Sequence, residues 1–251
     1  MYNIKLLITI LILSTLSMAK NINIAVSANV SYAIDELKEK FNTIYPDIKV
    51  QVTLGSSGKL TAQIKNGAPY QLFMSANMDY PEALYRDKIA ITKPVIYAQG
   101  TLAYLSNKKR DFNQTIEKIL LNNSIKKIAI ANPKTAPYGK ASIEALKNAK
   151  LLNTIKSKLV YGQSISQTVT YSVIVADIGF IAKSSLYSPK MSKYKEGINW
   201  SDINNKLYSP INQGIVILKN GKDNSEVEAF YKFILSSRGK NILNRFGYLT
   251  P

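Results

Sequence analysis

The chain has 251 residues, with 33 Lys and Arg against 16 Asp and Glu, a formal net charge of +17, and neither His nor Cys. That composition excludes a Ser-His-Asp triad, a Cys-His pair, disulfides and any His- or Cys-ligated metal. The charge raises nucleic acid or an anionic surface as partners. However, the lysines are scattered, and clusters such as Lys108-Lys109-Arg110 and Lys126-Lys127 carry no interleaved aromatic residues. A solvated basic surface that speeds the arrival of anions is the favoured reading, with no nucleic acid as partner.

Residues 1–19 read as a secretory signal. Lys5 gives a basic start, Leu6 to Leu16 an apolar core, and Ser17-Met18-Ala19 the small residues before a cleavage site, so cleavage after Ala19 is expected. The core is short of the ~20 residues that span a bilayer, which argues against an uncleaved anchor. No Cys follows for lipid attachment. The mature chain is expected free in the periplasm.

Beyond the signal, strand-like and helix-like segments alternate. Ile22–Val26 reads as a strand and Ser31–Tyr45 as a helix, with apolar residues at Ala33, Ile34, Leu37, Phe41 and Ile44. Next come a strand over Ile48–Leu54, a helix from the glycine turn at Gly55 to about Lys65, the strand Leu72–Ala76 and a short helix over Pro81–Asp87. After Pro94, Val95–Tyr97 and Leu102–Leu105 read as paired strands, followed by a helix near Thr115–Asn122, a strand Lys127–Ala131 and a helix from Tyr138 to Ala149. Val160-Tyr161, Ile178–Ala182 and Gly214–Leu218 read as further strands, with a helix from about Ser166 between the first two. Glu226–Phe246 closes the chain as one long amphipathic helix, with a break expected near Gly239. The alternation predicts an α/β fold with largely parallel sheets.

The most informative stretch is Gly55-Ser56-Ser57-Gly58-Lys59, at the passage from a strand into a helix. Small hydroxyl residues between glycines, backbone N–H groups and a helix dipole aim at one spot there, which suits an anion. It is not a nucleotide P-loop: two residues rather than four separate the glycines, and Leu60 follows Lys59. Taken alone, an ordinary flexible turn is an equally good reading. Three other segments repeat the arrangement: Ser27-Ala28-Asn29-Val30-Ser31, Asn132 to Gly139, and Gly162 to Gln167. Open sheets gather such turns on one edge, where ligands bind. Four helix starts across a cleft would supply neutral donors enough to replace an oxyanion's hydration shell.

The 16 carboxylates could in principle supply a glycosidase pair or a calcium loop. Nothing in their placement supports either, and Asp223-Asn224-Ser225-Glu226 lacks calcium-loop spacing. No enzyme activity is expected.

Over essentially its whole mature length the chain resembles the periplasmic molybdate-binding proteins of ABC transporters, with the type II periplasmic-binding-protein fold. Gly55–Pro69 followed by Leu72–Ala76, Ala131-Asn132-Pro133 with Ala136-Pro137-Tyr138-Gly139, and Ala176–Ile181 carry the resemblance. It implies two lobes, each a mostly parallel sheet flanked by helices. Lobe 1 is expected over residues 20–97 and 211–251, lobe 2 over 98–210, with crossings near Tyr97–Gly100 and Tyr208–Gly214. A bare tetrahedral oxyanion would sit between them.

By position, the resemblance implies that Asn29 matches the ligand of the first turn and Ser57 gives a hydroxyl and an N–H from the second. Tyr138 and Ile165 are implied as backbone N–H donors. Ala28, Ser56 and Ala182 are weaker candidates. Some members place a Tyr where this chain has Ala182, so Ser184, Ser185, Ser27 or the Tyr138 hydroxyl are candidate replacements. Each site residue also has a plainer reading: Asn29 and Ser57 as helix caps, Tyr138 as a packing aromatic, Lys59 as a solvent-facing cation outside the ligand shell. Molybdenum or tungsten would be bound only inside the oxyanion, with no direct protein–metal ligands and no cofactor. The expected protein is a monomeric receptor that delivers molybdate, and tungstate, to a membrane permease. Its alternatives are a receptor for another oxyanion (tungstate alone, sulfate or phosphate), an extracytoplasmic enzyme and a basic adhesion protein.

Overall fold

The computed structural model describes residues 20–251, so the secretory signal expected over residues 1–19 lies outside the described residues. In chain order the elements are β1 (Lys20–Ser27), α1 (Ile34–Asn42), β2 (Ile48–Gly55), α2 (Ser57–Lys65), β3 (Leu72–Met74), α3 (Asp79–Arg86), β4 (Val95–Gly100), β5 (Leu102–Leu105), α4 (Ile116–Leu121), β6 (Ile128–Ala131), α5 (Pro137–Asn148), α6 (Leu152–Ile155), β7 (Leu159–Gly162), α7 (Ile165–Ile174), β8 (Ile178–Ala182), β9 (Trp200–Asp202), β10 (Ile211–Ile217), α8 (Ser225–Leu235) and α9 (Ser237–Arg245).

Two five-stranded sheets result, ordered β2-β1-β3-β10-β4 and β7-β6-β8-β5-β9. Both are mixed rather than mostly parallel. β1 runs parallel to β2 and β3, and β6 parallel to β7 and β8, because each pair is joined through a helix. β10 lies antiparallel to β3 and β4, and β5 antiparallel to β8 and β9. In each sheet one strand brings the chain in and another takes it out, side by side and in opposite directions. Val95–Tyr97 and Leu102–Leu105, read from sequence as paired strands, therefore belong to different sheets. β4 keeps Ala98, Gln99 and Gly100 in the first sheet, opposite Gln213, Asn212 and Ile211, so that sheet extends past the boundary expected at residue 97.

Both faces of each sheet are covered, which explains why strands such as Ile22–Val26 read as near-continuous apolar runs. On one face of the first sheet, Ile22, Ile24 and Val26 pack against Leu37 and Phe41 of α1 and Phe230 of α8. On the other face, Ala25 and Phe73 meet Leu60 and Ile64 of α2. The Phe41 and Phe230 rings meet edge-on with centroids 5.0 Å apart, a favoured aromatic geometry. In the second lobe Ile128, Ile130 and Phe180 pack with Ala141, Ala145 and Leu146 of α5.

Two local expectations shift, and one strand is new. Residues 28–32 form a tight 3-10 turn, and α1 starts only at Ile34. The break expected near Gly239 in the C-terminal helix falls at Ser236, which leaves helical geometry and whose hydroxyl accepts the Gly239 N–H, capping α9. The short strand β9 had no sequence signal, since Trp200-Ser201-Asp202 carries no apolar alternation.

Candidate anion-binding site

The four passages singled out in the sequence meet at one place. Ser27, Ala28, Asn29, Gly55, Ser56, Ser57, Ala76, Ala136, Pro137, Tyr138 and Ile165 line a single small cavity. Its volume of about 10 Å³ is far below the ~300–1,000 Å³ of pockets for drug-sized ligands, so the lobes stand close together around it. Two walls come from the first lobe, at the ends of β1 and β2, and two from the second, at the starts of α5 and α7.

Helix geometry decides what those walls offer. Ser57 is the first residue of α2, Tyr138 the second of α5 and Ile165 the first of α7. The first N–H groups of a helix have no intrahelical acceptor. None of the described residues supplies an acceptor for these three. Three helix N-termini, each equivalent to roughly half a positive charge, thus present free donors to one cavity. Backbone donation is what lets the apolar Ile165 sit in such a wall.

Two hydroxyls join them. Ser27 Oγ and Ser57 Oγ lie 2.5 Å apart, and the Ala76 N–H donates to both, at 3.1 and 3.0 Å. One hydroxyl must donate to the other, which leaves one hydroxyl hydrogen free for a ligand. Ser57 therefore does not cap α2: Ser56 holds the cap position, without a side-chain capping bond. Asn29 does not cap α1 either, whose cap position is Ala33. Ser56 Oγ and Asn29 Oδ1 are buried without a partner among the described residues. Such groups are costly unless a water or an ion completes their bonding, and Thr101 Oγ1 and Thr135 Oγ1 share that state away from the cavity lining.

Behind the cavity lies a buried polar network that sequence reading missed. Asn29 Nδ2 donates to Gln213 Oε1 at 2.8 Å and to the Tyr248 hydroxyl at 3.0 Å. Tyr97 also donates to Gln213 Oε1, at 2.8 Å, and Gln213 Nε2 donates to the Tyr138 hydroxyl at 3.2 Å. The Tyr248 hydroxyl lies 2.8 Å from the Asn29 carbonyl, to which Ser184 Oγ also donates at 3.2 Å. Burial pushes the Tyr97 and Tyr138 phenols well above the ordinary tyrosine range and the Tyr248 phenol up to about 12, so all three stay protonated at neutral pH.

Ala182 is the weaker candidate that the cavity leaves out. It is buried in β8 opposite Leu102, and its carbonyl accepts the Ser185 hydroxyl at 2.8 Å. Ser185 and Ser184 are thus spent elsewhere, and the Tyr138 hydroxyl turns to Gln213. Of the suggested replacements, only Ser27 reaches the cavity. Lys59 stays outside and donates to Gln163 Oε1 at 2.6 Å across the lobes. No Asp or Glu lines the cavity, and among the described residues no three His, Cys, Asp or Glu side chains cluster as a metal site. No helix among the described residues is long and apolar enough to cross a membrane.

The motif Ala176–Ile181 turns out to be structural. Asp177 Oδ2 accepts the N–H groups of Lys126 and Lys127 at 2.7 and 2.9 Å, tying the start of β6 to the turn before β8. Gly179 faces α7 so closely that a Cβ would fall 1.8 Å from Ser172 Oγ.

Two facing α/β lobes with a donor-rich, carboxylate-free cavity between them are the architecture of a solute-binding protein. Residues 22–249 match the family of bacterial extracellular solute-binding proteins, and the chain belongs to that family. It is similar to the molybdate-binding protein ModA of Azotobacter vinelandii, 33% identical over 239 residues that cover 94% of this chain and 93% of the relative. The molybdate-binding protein ModA of Rhodobacter capsulatus is 32% identical over 228 residues, 90% and 87% of the two chains. The solved structure of the Azotobacter vinelandii periplasmic molybdate-binding protein superposes with a TM-score of 0.84 at 29% identity, covering 92% of this chain and 99% of that one.

Proposed function

We propose that this protein is a monomeric periplasmic receptor that captures molybdate, and tungstate, and hands it to the permease of an ABC transporter. The observation that carries the reading is the convergence of three unpartnered helix N–H groups and the Ser27 and Ser57 hydroxyls on one carboxylate-free cavity. Ser57 contributes an N–H and its hydroxyl, Tyr138 and Ile165 contribute N–H groups, and Ala28, Asn29 and Ser56 complete the wall. Fixed neutral dipoles replace hydration at little reorganisation cost, so no counter-ion is needed. The relatives' molybdate-binding names support the choice of ion.

Phosphate is disfavoured because at neutral pH it carries a proton, and no carboxylate lines the cavity to accept it. Sulfate is disfavoured by size, since a smaller ion cannot reach every donor at once. Receptor binding and transport leave the ion chemically unchanged, so no turnover accompanies them. Titration calorimetry of residues 20–251 with molybdate, tungstate, sulfate and phosphate tests the reading. Tight binding of the first two is expected. Tight sulfate or phosphate binding with no heat from molybdate overturns it.

A further inference from the structure

Tyr138 serves two places at once. Its amide, the second of α5, faces the cavity. Its side chain runs the other way, to the strands that carry the chain between lobes. There the phenol meets Gln213 Nε2 at 3.2 Å. On the neighbouring strand β4, Gly100 leaves the space the phenol occupies, since a Cβ there would lie 1.9 Å from the Tyr138 hydroxyl and 2.6 Å from Gln213 Nε2.

Gln213 is fully buried on β10 at a register shift in the β4–β10 ladder, where an irregularity re-aims a side chain. Its Oε1 takes hydrogens from Asn29 and Tyr97, both of the first lobe, while its Nε2 reaches Tyr138 of the second. One amide thus bonds a cavity residue from each lobe, beside both crossing strands.

Resting on the oxyanion reading above, we infer that Gln213 and the Tyr138 phenol form a positioning relay that fixes the two cavity walls relative to each other when the lobes are together. Neither side-chain group is a ligand. The relay sets where the Tyr138 N–H stands relative to Asn29, so part of the affinity at the cavity is decided at the crossing strands. A buried hydrogen-bond network of this kind is rigid because each member loses a bond if another moves. Tyr97 donates into this relay, while the Tyr138 phenol accepts from it.

The test compares native protein, Tyr138→Phe, Gln213→Met and the double variant. Calorimetry and stopped-flow kinetics with molybdate are combined with thermal melting without ligand. Tyr138→Phe leaves every cavity-lining donor in place, yet a roughly tenfold loss of affinity is expected, mainly as faster dissociation, in line with one lost buried hydrogen bond. The double variant should lose much less than the product of the two single effects, because both remove one relay. Molybdate affinity within twofold of native in Tyr138→Phe, or simple additivity in the double variant, overturns the relay even if melting temperatures fall. If the native protein itself binds no molybdate, the ligand reading fails and the relay falls with it.

Discussion

The N–H of Gly58 donates to the carbonyl of Thr135 at 2.9 Å, a backbone hydrogen bond that joins the first turn of α2 in one lobe to the loop before α5 in the other. A Cβ at Gly58 would lie 3.0 Å from Thr135 Cα and carbonyl oxygen and 2.7 Å from the Tyr80 hydroxyl. Glycine here is required by the close approach of two lobes. Lys59 with Gln163 and Asp79 with Lys140, the latter pair at 3.3 Å, bridge the same cleft at its exposed rim. Exposed pairs of that kind contribute little individually, so the half-buried backbone contact matters more.

Gly58→Ala separates closure from folding. Within a helix, Ala is favoured over Gly by roughly 0.5–1 kcal/mol, so ligand-free protein should melt at the same temperature or slightly higher. Oxyanion affinity should fall by about tenfold or more, because the added methyl holds the lobes apart. Calorimetry beside thermal melting checks both halves, and unchanged affinity would show that the Thr135 loop yields freely.

Ser57→Ala removes the hydroxyl but keeps the N–H at the start of α2. Affinity should weaken by about 1–3 kcal/mol, the cost of one lost hydrogen bond to a charged group. The Ala76 N–H still has Ser27 Oγ as acceptor, so stability should change little. Full retention of affinity would remove the Ser57 side chain from the ligand shell.

Asp177→Asn should act on stability alone. Burial opposes the charge on Asp177, but the Lys127 and Lys126 N–H groups and Arg110 outweigh it and hold the carboxyl below its ordinary value. A lowered folded-state value means the stabilisation is present above about pH 4 and is lost as the pH falls through the folded-state value. At pH 7 the substitution should cost about 1–2 kcal/mol in denaturant unfolding, with molybdate affinity unchanged. An altered affinity would place Asp177 in the binding machinery.

Alkaline pH should weaken the fold late and then steeply. Burial raises Tyr97 and Tyr138 well above the usual tyrosine value, and Tyr32 and Tyr248 to about 12. Raised folded-state values give stability that is complete below about pH 10, where the unfolded phenols begin to ionise, and that is lost as pH climbs toward 12. Melting temperature should hold from pH 7 to about 9.5 and fall beyond it. A flat profile through pH 11.5 would contradict the burial of these phenols.

Much of this was legible in the chain because its signals are local. Strand runs such as Ile178–Ala182 and helix starts marked by Ser, Gly and Pro follow from side-chain period and turn chemistry. The four passages around Asn29, Ser57, Tyr138 and Ile165 could be marked because each carries its own small polar residues. Where local rules compete, the sequence was less exact. The break expected near Gly239 falls three residues earlier, at Ser236, which offers a side-chain cap. For Ser57 a helix cap stood beside the ligand hydroxyl as a plainer reading; Ser27, distant in sequence, lies 2.5 Å from that hydroxyl.

By itself, the sequence determined the alternating α/β order, the absence of His and Cys chemistry, and the four turns rich in free donors. Only the tertiary structure decided that each sheet is mixed, that Ala182 stays out of the cavity, and that Gln213, Tyr248 and Tyr97 stand behind it. The reason is separation along the chain. Asn29 and Tyr248 are 219 residues apart, Tyr138 and Gln213 75, and pairing over such distances is set by how whole sheets pack. No local propensity encodes it.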